Sequence, residues 1–158
     1  VQAAKNIDLL ILNAGVLEKD FDDLQEHESS IAFQIQTNAI SPLVLARMFA
    51  PSLSKNAKIM LMTSRMGSMG DNSSGGLDGY RMSKAALNAA GRNLAHDYRD
   101  QGISVYMVHP GYVQTDMTNH TGNTTTDVVA AKIEKLLSSL SLENSGEFWH
   151  ADGHQIPW

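Results

Sequence analysis

Three short apolar runs most limit what this chain can fold into. "IDLLILNAG" (7–15), "AKIMLMTS" (57–64) and "ISVYMVHPG" (103–111) are each too short for a buried helix, and glycine, serine or Pro-Gly ends them. Runs of this length, apolar at successive positions, are typical of strands that are covered on both faces in a parallel sheet. A shorter strand-like segment lies within "GEFWHADGHQIPW" (146–158), with a turn at Asp152-Gly153.

The segments between these runs have helical signals. Residues 18–37 show weak helical character, and a helix is predicted from Ser41, which can cap it, with Pro42 at the first helical position and Pro51 ending it. The stretch 80–102 predicts a long helix closed by Gly102. Asp127 is placed to cap a last helix over 128–140, where apolar residues recur at helical spacing.

Alternating strands and helices predict a single α/β domain over residues 1–158. The predicted fold is the C-terminal part of a Rossmann-like, doubly wound parallel sheet with helices on both faces. Ligands of such sheets bind beyond the carboxyl ends of the strands. Those ends are Asn13-Ala14-Gly15, Thr63-Ser64 and Pro110-Gly111, so the polar and glycine residues gather at one edge.

Composition excludes several classes of protein. With 17 acidic and 12 basic residues the net charge is −5, which argues against a nucleic-acid partner. Cysteine is absent, so disulfides and thiolate chemistry are excluded. The sequence offers no run long enough to span a membrane, and residues 1–5 lead into strand-like sequence without a signal peptide, which predicts a cytoplasmic location. His150 and His154 stand four apart in a turn without an evident carboxylate partner, and no metal site is predicted.

Tyr80 and Lys84 are the first candidates for chemistry. On a helix they lie four residues apart on one face, where an ammonium group would lower the pKa of the phenol and suit it to acid–base work. Ser64, at the end of a strand, could hydrogen-bond the same substrate oxygen. Ser68 is a rival, twelve positions before Tyr80, but Ser64 is preferred because the strand end fixes its backbone. A Tyr-x-x-x-Lys pair alone is common and needs its surroundings to carry meaning.

Those surroundings resemble a known family. "NAG" (13–15), "TNA" (37–39), "TS" (63–64), "YRMSKAALN" (80–88) and "HPGYVQTDM" (109–117) occur in this order with suitable spacing. Together they resemble the short-chain dehydrogenase/reductase family over almost the whole chain. "TSRMGS" and the final "GHQIPW" make the similarity closest to its C-factor and sniffer-type carbonyl reductase branch.

The resemblance implies an oxidoreductase that moves a hydride between NAD or NADP and a carbonyl or alcohol substrate. It implies Tyr80 as the acid/base, Lys84 as the group that lowers its pKa and holds the nicotinamide ribose, Ser64 as the polariser of the substrate oxygen, and Asn38 as the anchor of a relay water. Cofactor contacts would come from Asn13, Ala14, Gly15, Tyr80, Lys84, Pro110, Gly111, Val113 and Thr115. Asn38 as a simple turn residue and Asn13-Ala14-Gly15 as a simple strand stop remain alternatives.

The resemblance also implies a missing part. The family's glycine-rich turn between the first strand and first helix, which receives the cofactor pyrophosphate, has no counterpart here, so the chain looks N-terminally truncated. The strand at 7–12, apolar on both faces, would then be an exposed edge.

Two further expectations concern partners. A non-enzymatic C-factor-like intercellular signalling or interaction protein is the alternative function. A homodimer or tetramer is expected because the family's two long helices form its interface, and alanines would allow a close approach there (Ala85, Ala86, Ala89 and Ala90).

Overall fold

A computed structural model describes residues 5–158 of the chain. The expectation that residues 1–4 lead directly into the first strand falls outside that range. None of the helices in the described part combines the length and the apolar character needed to cross a bilayer.

Four parallel strands form one sheet in the order in which they occur in the chain. They are β1 (Ile7–Leu12), β2 (Leu53–Met62), β3 (Ser104–His109) and β4 (Phe148–His150). Each of the three apolar runs is therefore a strand of a parallel sheet, as predicted. Because all strands point the same way, their carboxyl ends meet at one edge of the sheet.

Helices connect the strands. They are α1 (Leu24–Ile35), α2 (Ser41–Phe49), α3 (Asp78–Tyr98) and α4 (Thr126–Ser139). A short 3-10 turn at Ala50–Ser52, which contains Pro51, ends α2 before β2, and Gly102 closes the α3 region with a φ of +73°. The predicted α/β class with a Rossmann-like parallel sheet is confirmed.

The predicted capping role of Ser41 is wrong, although α2 does begin at this residue. A π-helical turn, Gln36–Ile40, joins α1 and α2 into one continuous helical stretch, and Ser41 has helical backbone angles inside it. The Ser41 hydroxyl donates to the Gln36 carbonyl at 2.8 Å instead of capping an N-terminus. Asp23 is the residue that caps this stretch, through the amides of Gln25 and Glu26.

The predicted cap of α4 is also wrong by two residues. Thr125 is the N-cap and makes no side-chain cap hydrogen bond, while Asp127 lies in the first turn. There its carboxylate is close to the positive end of the helix dipole, which is a weaker form of the same electrostatic preference.

Two hydrophobic layers cover the two faces of the sheet. Along β3, Val105 and Met107 face the layer that holds α3, while Tyr106 and Val108 face the layer that holds α4. The contact between α3 and β3 is very close, because a Cβ on Gly91 would lie 2.2 Å from the Met107 sulfur. This close packing fixes α3 against the centre of the sheet.

The outer side of β1 is open. Within residues 5–158, β1 has β2 as its one strand neighbour, and Leu9 and Ile11 are 43% and 46% exposed. They lie at the mouth of an apolar groove of about 480 Å³ between the sheet and α4, with Met60 and Leu137 on its walls. The edge expected from the apolar run is thus present in the described part of the chain.

Candidate functional site

Tyr80 and Lys84 lie on the first turns of α3, on the side that faces the strand ends. Tyr80 is 7% exposed and Lys84 3%, and the Lys84 ammonium is 5.6 Å from the centre of the Tyr80 ring. Lys84 donates to the main-chain carbonyl of Met62, at the last residue of β2, at 3.0 Å. The helical spacing therefore brings phenol and ammonium together beside the carboxyl end of the sheet.

Burial sets the pKa values of this pair, and it corrects one expectation. Burial raises the pKa of Tyr80 above its ordinary value, and a hydrogen bond from Ser64 opposes that rise. Burial also lowers the pKa of Lys84 to about 8. The pKa of the phenol is thus raised instead of lowered as expected, because its removal from water is the largest effect.

The two candidate serines occupy different surroundings. Ser64 follows β2 and caps the 3-10 turn Arg65–Gly67 by accepting from the Met66 amide at 3.2 Å. It is also close enough to Tyr80 for its hydroxyl to lower the pKa of the phenol. Ser68 is 2% exposed, donates to the Pro157 carbonyl at 2.6 Å and accepts from the Asp71 amide at 3.1 Å. Ser64 is therefore the serine placed beside the phenol.

Gly67 allows the serine turn to lie directly on α3. A Cβ at this position would lie 2.7 Å from the carbonyl carbon of Lys84. The side-chain amide of Asn88 also donates to the Gly67 carbonyl, at 3.4 Å. The close packing of the turn after Ser64 against α3 therefore requires glycine at position 67.

Asn38 comes from the π-helical turn and is fully buried. Its side-chain oxygen accepts from the Val16 amide at 2.8 Å, and its nitrogen donates to the Val16 carbonyl at 2.8 Å and to the Ser83 hydroxyl at 2.9 Å. The side chain therefore joins the segment after β1 to α3. Pro42, four residues later, has no N–H to donate to the Asn38 carbonyl.

A cleft of about 1210 Å³ lies along the carboxyl ends of the strands. Every predicted site residue except Asn38 lines it, namely Asn13, Ala14, Gly15, Ser64, Tyr80, Lys84, Pro110, Gly111, Val113 and Thr115. Asn38 lies behind the wall, since its oxygen would be 3.3 Å from a Cβ on Gly15. The structure brings all the predicted residues into one region.

The cleft wall also contains polar residues that the sequence did not predict for the site, among them Arg65, Arg81, His109 and His150. Arg65 and Arg81 directly follow Ser64 and Tyr80 in the chain, and that adjacency was an available signal. His109 precedes Pro110-Gly111, and burial lowers its pKa to about 4. His150 on β4 lies beside His109 on the neighbouring strand β3, which only the register of the sheet reveals.

Within the described residues, one cluster brings three possible metal ligands close together, and it does not include His150. His150 does have a carboxylate neighbour, Asp152, at 3.4 Å, contrary to the sequence-based expectation. Asp20, His27 and Asp78 place ligand atoms within 4.8 Å of one another. The Nδ1 of His27 accepts from the Phe21 amide, so its Nε2 carries the proton and donates toward Asp78. Hydrogen bonds therefore account for the cluster of Asp20, His27 and Asp78 at the start of α3.

The cleft suits a nicotinamide nucleotide on one side. Gly15 and Gly111 bring bare backbone to its wall, and Gly111 has a φ of +91°, which a side chain disfavours. Because these two positions carry no side chain, a flat ring could lie directly against the backbone there.

A parallel Rossmann-like sheet with a tyrosine, a lysine and a serine at its carboxyl edge defines an α/β protein of the dinucleotide-binding type. The family model for short chain dehydrogenase matches residues 1–126. The chain belongs to the short-chain dehydrogenase family.

Two curated relatives illustrate the range of the family around this chain. 1-Hydroxy-2-glutathionyl-2-methyl-3-butene dehydrogenase from Rhodococcus sp. (strain AD45) is 42% identical over 129 residues, which are 79% of this chain and 57% of that protein. C-signal from Myxococcus xanthus is 36% identical over 156 residues, which are 96% of this chain and 93% of that protein. The chain thus spans little more than half the length of the first relative and almost all of the second.

Solved structures agree with this assignment. The carbonyl reductase Sniffer of D. melanogaster matches with a TM-score of 0.90 at 29% identity, and the NADPH-bound carbonyl reductase from chicken fatty liver with 0.87 at 31%. Each match covers 98% of this chain and 67% of the other chain. The predicted resemblance to the C-factor and sniffer-type branch is confirmed.

Proposed function

We propose that this chain supplies the catalytic half of an NAD(P)-dependent carbonyl reductase. The observation that carries the proposal is the meeting of Tyr80, Ser64 and Lys84 in one cleft at the carboxyl ends of β1, β2 and β3. The family and its carbonyl reductase structures support the same reaction class.

Each residue has a role that follows from its contacts. Tyr80, whose raised pKa keeps its hydroxyl protonated at neutral pH, donates that proton to the substrate oxygen as the carbonyl becomes an alcohol. Ser64 donates a hydrogen bond to the same oxygen. Lys84, with a pKa of about 8, is largely protonated at pH 7 and stabilises the phenolate that Tyr80 becomes.

Asn38 supports the return of the proton. Its side chain fixes Val16 and Ser83, and its own carbonyl has no α-helical donor because of Pro42. A water held at that carbonyl would connect Lys84 to solvent and reprotonate the phenolate. π-Helical turns of this kind are frequent at functional sites.

The cofactor is proposed from the family and from the cleft. A bound NADPH or NADH would supply the hydride that the carbonyl carbon receives. Lys84 would hold the nicotinamide ribose, the backbone around Pro110, Gly111, Val113 and Thr115 would line the nicotinamide, and the segment Asn13-Ala14-Gly15 would face the adenosine side. The chicken liver structure, described as NADPH-bound, supports a dinucleotide in this fold.

Loss of NADPH absorbance with a panel of aldehydes and ketones tests the proposal. Tyr80→Phe should lower kcat at least 100-fold because the proton donor is lost. Tyr98→Phe is the matched control, since Tyr98 is equally buried (8% exposed) but lies at the far end of α3. Equal rates in the wild type and Tyr80→Phe would overturn the assignment.

A second candidate is a non-catalytic signalling or interaction role. The observation that favours it is the match to C-signal, in which this chain spans 93% of a relative of nearly its own length. This role predicts that replacing the gene with the Tyr80→Phe form leaves the organism's phenotype unchanged while deletion alters it. A Tyr80→Phe strain that behaves like the deletion would reject it.

We also propose that two copies associate through the α1–α2 stretch and α3. Exposed apolar side chains at positions 33, 40, 44 and 48 follow one face of that stretch, and Ala89 and Met82 are exposed on α3. Light scattering after size exclusion should give a dimer or tetramer, and Val44→Glu should shift it toward the monomer. A wild-type monomer would contradict the proposal.

A further inference from the structure

Ser68, which has no role in the proposed reaction, contacts a segment far from it in the sequence. Its hydroxyl donates to the carbonyl of Pro157, a contact between residues 89 positions apart. Two residues on, the Gly70 amide donates to the carbonyl of Trp158 at 2.7 Å. These two bonds join the turn after Ser64 to the last residues of the sequence.

The tail that receives these bonds is itself fixed. The Ile156 amide donates to the Phe148 carbonyl of β4 at 2.8 Å, and Ile156 is 7% exposed. The Trp158 ring lies 5.7 Å from the Phe148 ring, measured between centroids. Residues 156–158 therefore contact both β4 and the turn that follows Ser64.

The other half of the link runs from Ser68 back to Ser64. The Ser68 hydroxyl accepts from the Asp71 amide at 3.1 Å, and the Asp71 carboxylate pairs with the guanidinium of Arg65 through two nitrogens. Arg65 is the residue directly after Ser64. A single buried hydroxyl thus joins the tail to the residue that adjoins the proposed catalytic serine.

We propose that Ser68 is a positioning residue, which uses its bonds to the Pro157–Trp158 segment and to Asp71 to hold Ser64 beside Tyr80 in the cleft. The hydroxyl is well suited to this work because it donates and accepts at once and is 2% exposed, so water cannot replace either bond without opening the turn. The catalytic part of the inference rests on the proposed function, while the mechanical part does not.

Hydrogen exchange followed by mass spectrometry tests the mechanical part. In Ser68→Ala, exchange of the amides of residues 66–71 should become at least 10-fold faster because Asp71 and the tail both lose a partner. Ser68→Thr retains the hydroxyl and should restore slow exchange. Ser73→Ala, which alters an exposed serine of the same loop, is the control. Faster exchange confined to Asp71, with residues 66–68 unchanged, would overturn the proposal.

Steady-state kinetics test the catalytic part. Ser68→Ala should lower kcat about 5- to 20-fold and leave KM for NADPH within about twofold, with Ser68→Thr restoring kcat. In the alcohol oxidation direction, the acidic limb of the pH–kcat profile of Ser68→Ala should move to higher pH. The reason is that Ser64 lowers the pKa of Tyr80, and a displaced Ser64 would do so less. An unchanged kcat and pH profile in Ser68→Ala would reject the positioning role.

An inactive wild type would count against the proposed function. The hydrogen-exchange result would then decide by itself whether Ser68 holds the turn after Ser64 against residues 157–158. Gly70→Ala gives an independent variant if Ser68→Ala fails to fold. Its Cβ would lie 3.0 Å from the Trp158 carbonyl and push the tail away, so it should reproduce the faster exchange. Wild-type exchange in Gly70→Ala would argue against the tail as the anchor.

Discussion

Two regions of this molecule, the carboxyl ends of the strands and the outer side of β1, differ in how completely their side chains are buried. At the carboxyl ends of β2 and β3, Ser64, Tyr80 and Lys84 are buried, and Ser64 and Lys84 each have a hydrogen-bond partner. At the outer side of β1, Leu9 and Ile11 are nearly half exposed beside an open apolar groove. The residues proposed for proton transfer therefore lie together, while the outer edge of β1 has no strand partner among residues 5–158.

This difference separates two properties that are usually measured together. In the proposed function, proton transfer depends on contacts between α3, the π-helical turn and the turn after β2, all of which lie inside the described range. In the same proposal, cofactor affinity depends also on what covers β1. Variants can therefore be chosen to disturb one edge and leave the other intact.

The largest expected effect comes from Gly67→Ala. Its Cβ would meet the main chain of Lys84 at 2.7 Å, so the Ser64 turn and α3 must move apart. We expect kcat to fall more than about 100-fold and the free energy of unfolding to fall by about 1–3 kcal/mol, as for other overpacked sites. Urea denaturation and NADPH-dependent assays measure both.

Gly75→Ala is the comparison for that variant. Gly75 has open space around it but a φ of +64°, so the cost there is backbone strain of about 1–2 kcal/mol without movement of the site. If both variants lose activity equally, the close contact at Gly67 is not what places Ser64.

Lys84→Met, at the carboxyl ends of the strands, should affect activity and the free energy of unfolding in different ways. Because the folded pKa of Lys84 is about 8, below its value in the unfolded chain, the folded state binds fewer protons between about pH 8 and 10.5 and the wild type gains stability across that window. The variant should lose activity, and its stability relative to the wild type should be highest near pH 7 and fall as the pH rises. Chemical denaturation from pH 7 to 10 measures this trend.

Lys132→Met, which removes an exposed lysine paired with Asp152, is the control and should show no such trend across the same range. A stability difference between Lys84→Met and the wild type that does not vary with pH would mean that Lys84 titrates normally.

His109 should weaken the fold in acid. Its pKa of about 4 is below the ordinary value of 6.5, so protonation from pH 6.5 down to 4 favours the unfolded state and stability is lost across that window. The groups that face it are Arg65, Asp71, His150 and His154. His109→Asn should flatten the pH dependence of unfolding between pH 4 and 6.5.

His96→Asn, at an exposed histidine of α3, is the matched control and should keep the wild-type slope. The same slope in His109→Asn would show that the imidazole is not the titrating group.

The smallest effect is expected at the open edge. Ile11→Lys places a charge on the exposed side of β1 and should raise the concentration at which the protein aggregates, with little change in unfolding free energy. Leu24→Lys, on a residue 82% exposed away from any strand, is the control. Equal gains from both variants would point to general charge rather than to the strand edge.

The strands and the family were readable from the sequence because they depend on local patterns. The runs at 7–12 and 103–108 are apolar at successive positions, and the motifs around Ser64 and Tyr80 are contiguous. The helical stretch through Ser41 was misread because a proline after a serine usually begins a helix, and the preceding π-helical turn accommodates it here.

Other features depend on residues far apart in the chain. The raised pKa of Tyr80 was not predicted, because it comes mainly from burial, which is a tertiary property. Asp20 provides acceptors for the Leu77 and Asp78 amides at the start of α3 from 57 and 58 residues away, which no local cap signal reveals. The partner of Ser68 is likewise visible only in three dimensions.

Transfer of deuterium from the 4-position of labelled NADPH to a carbonyl substrate tests the central claim most directly. Under single-turnover conditions, mass spectrometry of the product should find one deuterium on the new alcohol carbon with the wild type and with Tyr98→Phe. With Tyr80→Phe the labelled product should form at least 100-fold more slowly. Unlabelled product, or equal rates for the wild type and Tyr80→Phe, would contradict the assignment of Tyr80, Ser64 and Lys84 as the reductase site.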